Sequence, residues 1–306
     1  MTPPQPPGDP AAEPGALEDA AREFETHRGA LLGAAYRVLA SMTAAEDVVQ
    51  EAWLRWSSAD RSAIRDPRSY LVRTVTRLSL NELRAHQRRR EEYVGPWLPE
   101  PVSDLPPTDA SAEVAESVSL AMLVVLESLS PLERAAFILR EVFGEEFDDI
   151  AATLDRTPSA VRQLVHRARE HVAARSPRNT VDPATHRKVT EGVLAAMQGG
   201  SIEGLLILLS PDVVLTTDGG GKKQAALHPI RTPDKVLRFL LGILAKQTEP
   251  MEFRMLEVNG EPAIGAFTPS GLDTVATMRL DGGAISEIYM VRNPDKLTRV
   301  RVPDAS

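Results

Sequence analysis

LSPLERAAFILREVFGEEFDDIAATLDRTPSAVRQLVHRARE, residues 129–170, is the stretch from which the chain is best read. Ser130-Pro131-Leu132-Glu133 is a capping-box start. Ser at the N-cap and Glu three residues on satisfy two orphan N–H groups, and proline at the first helical position gives up a donor the helix would not use. Thr157-Pro158 repeats the cap and the proline. Between them Phe147 to Leu154 reads as a short helix and Asp155-Arg156-Thr157 as a tight turn. A short helix, a three-residue turn and a capped helix make a helix-turn-helix. On the second helix Val161, Leu164, Val165 and Ala168 fall at i, i+3, i+4 and i+7 and form the buried face. Ser159, Arg162, Gln163 and His166 lie opposite, with Arg169 one turn beyond. In a major groove Arg bonds guanine and Gln adenine; Arg167 and Arg169 suit phosphate. On spacing alone, an ordinary solvated helix in a helical hairpin has the same pattern.

The charge distribution separates this stretch from its surroundings. The 306 residues carry a net charge of −8, which argues against a uniformly basic nucleic-acid binder. Residues 61–90 nevertheless hold nine Arg against Asp66 and Glu82. From Asp155 to Arg175 there are five Arg against Asp155 and Glu170. Two local basic stretches on an acidic chain are what phosphate backbones require. No Lys precedes Lys188, a bias that an Arg-preferring, GC-rich genome explains as well as DNA contact does. There is no cysteine, which excludes disulfides, thiolate zinc sites and thiol catalysis and fits a reducing cytoplasm. No apolar run approaches the roughly 18 residues of a membrane span, so no membrane association is expected. The opening MTPPQPPGDPAAEPG has no basic n-region and no apolar h-region; residues 1–16 read as a disordered Pro-rich tail.

Upstream of the helix-turn-helix, residues 17–92 carry a helical period. Leu31, Leu32, Ala35, Val38 and Leu39 are followed by Val48, Val49, Ala52 and Trp53, and Ser69 to Arg90 continues as an Arg-studded helix. Val48, Val49, Ala52 and Trp53 are expected in the core, with Asp47, Gln50, Glu51 and Arg55 outside. Nothing in the spacing excludes an ordinary surface helix. Residues 93–109 form a linker with prolines at 96, 99, 101, 106 and 107, a density that breaks helices. A second helical block spans 110–175, and 176–182 is a second linker. Over residues 183–300 the period changes. His186–Met197, Ile202–Leu209 and Pro233–Lys246 read as helices. Met251–Val258, Ala263–Phe267, Thr274–Leu280 and Ile285–Val291 read as strands. Asn259-Gly260 and Asp281-Gly282-Gly283 are the hairpin turns. This third unit is expected to be α+β with a mostly antiparallel sheet; 301–306 is a tail.

AEDVVQEAWLRW, an Arg-rich helix ending LNELRAHQRRR, a linker and the helix-turn-helix stand in that order. Over about residues 20 to 175 the chain resembles an extracytoplasmic-function (ECF) sigma factor of the sigma-70 family. The resemblance implies two all-α domains, a helical bundle and a helix-turn-helix, and partners in core RNA polymerase and promoter DNA. Asp47, Gln50, Glu51 and Leu54 match the positions that bind the β′ clamp helices. Arg73, Arg77, Asn81 and Arg84 become the candidates for the −10 element. Ser159, Arg162, Gln163, His166, Arg167 and Arg169 become those for the −35 element. Many members have an Asn-and-Asp arrangement where this chain has Arg77 and Asn81, which bears on the −10 sequence preference and not on the class.

Three further strings narrow the resemblance: Trp97-Leu98-Pro99-Glu100-Pro101, Asp218-Gly219-Gly220-Gly221-Lys222 and Asn293-Pro294-Asp295-Lys296-Leu297. Together they resemble the sigma factors that carry a fused SnoaL-like, NTF2-like C-terminal domain, a cone with an apolar pocket, regulating them in cis. Trp97 in a Pro-rich linker forgoes burial worth roughly 1.5–3 kcal/mol unless something covers it; docking on the third unit and packing on the first block both do so. Asp218–Lys222 lacks the Gly-x4-Gly-Lys-Ser/Thr of a phosphate loop, which leaves a bare turn or an interdomain contact. Asn293-Pro294-Asp295 is a turn or cap that the resemblance assigns to the same interface. The fold implied hosts enzymes as well as binders. His228, Asp218, Asp273 and Glu287 are available for acid–base work, but no pair can be assigned. No metal-ligand spacing stands out, and no catalysis and no cofactor are expected. A small apolar ligand is a further partner that the pocket admits. Two rivals stand beside the promoter-recognition reading: a DNA-binding regulator independent of polymerase core, and a SnoaL-like enzyme or sensor fused to a DNA-binding module.

Overall fold

The computed structural model describes residues 14–104, 119–176, 179, 181–199 and 202–302. The tail to residue 13, the prolines at 106 and 107, and the proposed start of the second block at 110 lie outside the described residues. The expected tail ends earlier than its composition implies: helix α1 (Pro14–Leu39) opens on Pro14, where a missing N–H costs nothing. It packs with α2 (Met42–Ser57) and α3 (Pro67–Glu91) into a three-helix bundle. Ser41 caps α2, its side chain accepting from the Ala44 N–H.

The second helical unit runs α4 (Leu120–Glu127), α5 (Pro131–Phe137), a π-helical turn at Ile138–Val142, α6 (Phe147–Leu154) and α7 (Pro158–Arg175). The capping box at Ser130 and Glu133 is formed on both sides. Asp155 takes φ 54° and closes α6 in the left-handed conformation, and the Thr157 side chain accepts from Ala160 to start α7. Both helical units share one apolar core. It joins Leu31, Tyr36 and Trp56 of the first to Ile138, Ile150 and Val161 of the second. Trp53, expected in the core, is only half-buried and stacks edge-on against Phe24 at 5.3 Å, whereas Trp56 is fully buried and donates its indole N–H to the Ala20 carbonyl at 3.0 Å. Position 56 lies i+4 from Ala52 and i+7 from Val49, so it falls in the middle of the buried stripe, while 53 sits at its margin.

The third unit has α8 (Pro183–Gly199), α9 (Ile202–Leu208) and α10 (Pro233–Lys246) against a six-stranded sheet ordered β2-β1-β6-β5-β4-β3. The strands are β1 (Leu209–Asp218), β2 (Ile230–Arg231), β3 (Glu252–Val258), β4 (Glu261–Thr268), β5 (Gly271–Asp281) and β6 (Ala284–Val291). The fold is therefore helical domains followed by an α+β domain. The sheet is antiparallel except where β1 runs parallel to β6. The sequence reading contains neither β1 nor β2. β1 is central, and one strand-long apolar run after a helix cannot be told from helix by period. Asn259 (φ 56°) and Gly260 (φ 75°) supply the two positive φ values that a two-residue hairpin wants.

Alternation along the strands gives the sheet two buried faces. On β6, Ile288 and Met290 face the helices α8–α10, whereas Tyr289 and Val291 face the other way. That second face is covered by Leu98 of the linker and Leu120 at the start of α4. The linker is thus a structural layer between the helical units and the sheet.

Candidate functional site

The exposed side of α7 carries the residues expected there. Ser159, Arg162, Gln163, His166, Arg167 and Arg169 are all exposed, over a buried row of Val161, Leu164, Val165 and Ala168. Local partners hold the cations: Arg162 lies over the Phe147 ring at 5.2 Å, Arg167 pairs with Glu133 at 2.7 Å and Arg169 with Glu141 at 2.8 Å. His166 Nδ1 is 3.3 Å from Glu170. Exposed pairs of this kind are worth about 0–1 kcal/mol.

In the first unit Asp47, Gln50 and Glu51 are exposed on α2, and Leu54 is 57% exposed, a large apolar side chain left on the surface. On α3, Asn81 and Arg84 are exposed. Arg73 and Arg77 are turned to the second unit. Arg73 bridges Asp149 at 2.9 Å and Glu145 at 3.4 Å, and Arg77 Nε donates to the Thr153 carbonyl at 2.8 Å. All three acceptors lie on or just before α6, the first helix of the helix-turn-helix. One face of α3 is therefore capped by the very unit that carries α7.

The three strings of the linker and the third unit meet around one carboxylate. Asp218, at the end of β1, is wholly buried. Its Oδ1 accepts from the Tyr93 phenol at 2.5 Å and the Gly220 N–H at 3.1 Å; its Oδ2 accepts from the Leu98 N–H at 2.9 Å and from Lys296 Nζ at 2.7 Å. Lys296 also donates to the Leu98 carbonyl at 2.6 Å, and its ammonium sits 3.2 Å from the Trp97 ring centroid. Trp97 is half-buried and stacks edge-on with Tyr93 at 4.6 Å. Asn293 donates to the Tyr93 oxygen at 2.9 Å and caps the short helix Pro294–Lys296. Burial, and then the bond to Asp218, hold the Tyr93 phenol above its ordinary pKa. Gly220 is required here: at φ 60°, a Cβ would come within 2.3 Å of Asn293 Nδ2. Lys222 pairs with Asp295 at 2.6 Å on the exposed rim, and Leu297 is buried in the sheet-side core. Gly219 and Gly221 complete the turn; a Cβ on Gly219 would meet the Lys223 carbonyl at 2.1 Å.

The linker grips the first unit from its other side. Pro99, Glu100 and Pro101 are buried. Glu100 Oε2 accepts from the Ser41 hydroxyl at 3.0 Å and the Met42 N–H at 2.9 Å, supplementing the cap of α2. Burial pushes its carboxyl above the ordinary range despite those bonds. The Tyr36 phenol donates to the Glu100 carbonyl at 2.6 Å and accepts from Asn259 Nδ2 at 2.8 Å; Asn259 Oδ1 accepts from the Val102 N–H at 3.2 Å. Sequence reasoning missed Tyr36, Tyr93 and Asn259. Asn259-Gly260 carried a signal only for the turn, and a contact 223 residues away in sequence leaves no local trace.

A second charge cluster flanks the clamp. Asp273 pairs with Lys223 at 2.8 Å and Arg292 at 2.8 Å. Burial alone would raise its carboxyl, but bonds from Lys223, Thr274 and Arg292 hold it down at about 2. Behind β5 and β6, facing α8–α10, lies an apolar cavity of about 70 Å³. None of His228, Asp218, Asp273 and Glu287 lines it. Among the described residues, no group of His, Asp and Glu is placed to hold a metal ion, and no helix is long and apolar enough to cross a membrane.

Two stretches of the chain match known families. Residues 24–89 match Sigma-70 region 2, and residues 119–172 match Sigma-70, region 4. The chain is 40% identical to the ECF RNA polymerase sigma factor SigJ of Mycobacterium tuberculosis, over 90% of this chain and 92% of that protein. It is 31% identical to the probable ECF RNA polymerase sigma factor SigI of the same species, over 91% of this chain and 94% of the relative. The crystal structure of M. tuberculosis SigJ superposes with a TM-score of 0.73 at 37% identity, over 92% of this chain and all of that one.

Proposed function

Since this chain belongs to the ECF RNA polymerase sigma factors, we propose that its C-terminal domain controls it in cis through the linker. The protein is an alternative sigma factor; its family binds core RNA polymerase and promoter DNA. In our reading Asp47, Gln50, Glu51 and Leu54 bind the β′ clamp helices. Arg73, Arg77, Asn81 and Arg84 serve the −10 element, where capture of unstacked bases is a single-strand recognition problem. Ser159, Arg162, Gln163, His166, Arg167 and Arg169 serve the −35 element.

The carrying observation is the buried Asp218 carboxylate, which accepts from Tyr93 and Leu98 of the linker and from Lys296. Over residues 93–104 the linker is held both to the C-terminal domain and to the first helical unit. In this conformation α6 engages the guanidinium groups of Arg73, which is half-buried, and Arg77, which stays exposed, so in our reading it is a resting state that must open before the −10 element is read. In this reading the C-terminal domain supplies the hold. Opening follows when core polymerase or DNA replaces the α3–α6 contacts.

In vitro transcription with core polymerase on a promoter library tests this reading, comparing the full chain with one ending at Arg175. Promoter-specific transcripts that differ between the two support control in cis and give its sign; identical transcripts remove the regulatory role. Asp47→Ala and Gln50→Ala should each abolish core binding. Binding that survives both would favour a regulator that works without polymerase core.

A further inference from the structure

Arg162, Arg167 and Arg169 all face outward on α7, but they are held in two different ways. Arg167 donates to Glu133 and Arg169 to Glu141, so each must leave a carboxylate before those N–H groups can serve DNA. Arg162 lies instead over the Phe147 ring, its guanidinium carbon 5.2 Å from the centroid, and among the described residues no carboxylate pairs with it. An aromatic ring attracts a guanidinium to its face, whereas guanine is bonded by the guanidinium's N–H edge. The two partners do not compete. Arg162 can stay on the ring and still donate into a groove.

The chain brings the two residues together across the turn. Phe147 is the first residue of α6 and Arg162 the fifth of α7, and the left-handed Asp155 closes α6 between them. Phe147 is itself half-buried against the common helical core. A second guanidinium, that of Arg140, lies over the same ring at 4.7 Å. Arg140 is anchored in turn by the Glu145 carbonyl at 2.8 Å and by Glu146 at 3.5 Å. The ring is therefore a fixed support and not a side chain that follows Arg162. A long side chain loses rotamer freedom when it docks, and a support that places it beforehand removes part of that cost. The N-terminal residues of a recognition helix are the ones that reach base edges, and Arg162 is among them.

We propose that Phe147 is a positioning residue for promoter recognition: it presents the N–H edge of Arg162 to a guanine of the −35 element and so sets the preference at that one base pair. This rests on the reading that Arg162 serves the −35 element.

The test uses holoenzyme formed from the full chain and core polymerase, on a promoter it selects from a library, re-randomised over the −35 element. Sequencing the transcripts against the templates gives the base preference at each position. Arg162→Ala should lower the preference for guanine at one position by at least about fivefold. Phe147→Leu should lower it at the same position by about two- to fivefold, the scale of an exposed cation–π contact, and leave the other positions unchanged. Phe147→Tyr keeps a ring and should keep the parent preference. The double variant Arg162→Ala/Phe147→Leu should lose no more than Arg162→Ala alone. If thermal melts show that Phe147→Leu does not fold, Phe147→Met takes its place. A loss spread equally over all −35 positions would make Phe147 a packing residue and overturn the proposal. So would a Phe147→Tyr variant that behaves like Phe147→Leu, or additive losses in the double variant. If Arg162→Ala alters one position and Phe147→Leu alters none, the proposal alone fails. If Arg162→Ala alters no position, the reading of Arg162 fails and takes the proposal with it.

Discussion

The outer face of α7 and the clamp around Asp218 are both built of charge, yet they obey different physics. On α7 the cations are exposed and paired with neighbours on the same unit, Arg167 with Glu133 and Arg169 with Glu141. Each pair contributes little because water screens it. In our reading the surface exchanges its partners for phosphate at small cost. At the clamp, Lys296 and Asp218 are both buried and the groups around them come from three distant stretches of chain. Such a pair adds modest net stability when whole and is costly to break by halves. A reader of DNA needs the first kind of charge; a hold on a linker needs the second.

The largest effect that would break this contrast is at Lys296. Lys296→Ala leaves a buried carboxylate without its cation and should cost about 3–5 kcal/mol, measured by urea unfolding and by faster protease cleavage of the linker. Asp218→Asn/Lys296→Met, which removes both charges, should recover most of that loss. A single variant that unfolds like the parent would show that the pair is solvated. Next comes Arg162→Ala, expected to lose about 1–3 kcal/mol of binding to the −35 element if it reads a base. Equal loss on scrambled DNA in a fluorescence titration would make Arg162 a phosphate contact instead.

Acid should then act on the clamp side. The Asp273 carboxyl lies at about 2 in the folded protein against an ordinary 3.8. A depressed carboxyl contributes stability that is fully present above the ordinary value and lost as pH falls from about 4 toward 2. For Asp273 that contribution is about 2 kcal/mol. Thermal melts across this window should show the loss, and Asp273→Asn should flatten it. The smallest effect belongs to the α3–α6 contact. Asp149→Ala removes one half-exposed partner of Arg73 and should change stability by less than about 1 kcal/mol while raising the accessibility of Arg73 to a guanidinium-modifying reagent. A larger penalty would mean that this contact, and not the linker, holds the helical units together.

Wherever the chain acts on near neighbours, the structure could be read from the sequence. The capping box at Ser130, the turn at Asp155, the cap at Thr157 and the two faces of α7 are all settled within about four residues, because caps and helical period are local physics. The hairpins at Asn259-Gly260 and Asp281-Gly282-Gly283 were legible for the same reason. The promoter and polymerase roles given to individual residues came from resemblance, since an exposed Arg or Gln looks alike whatever it serves. What only the tertiary structure decided is long-range. β1 joined the sheet because β6 offered a parallel edge. Asp218 and Lys296 became a clamp because the fold removes both from water and brings Tyr93 and Leu98 to them. Desolvation is a property of everything that surrounds a group, so no window of sequence contains it.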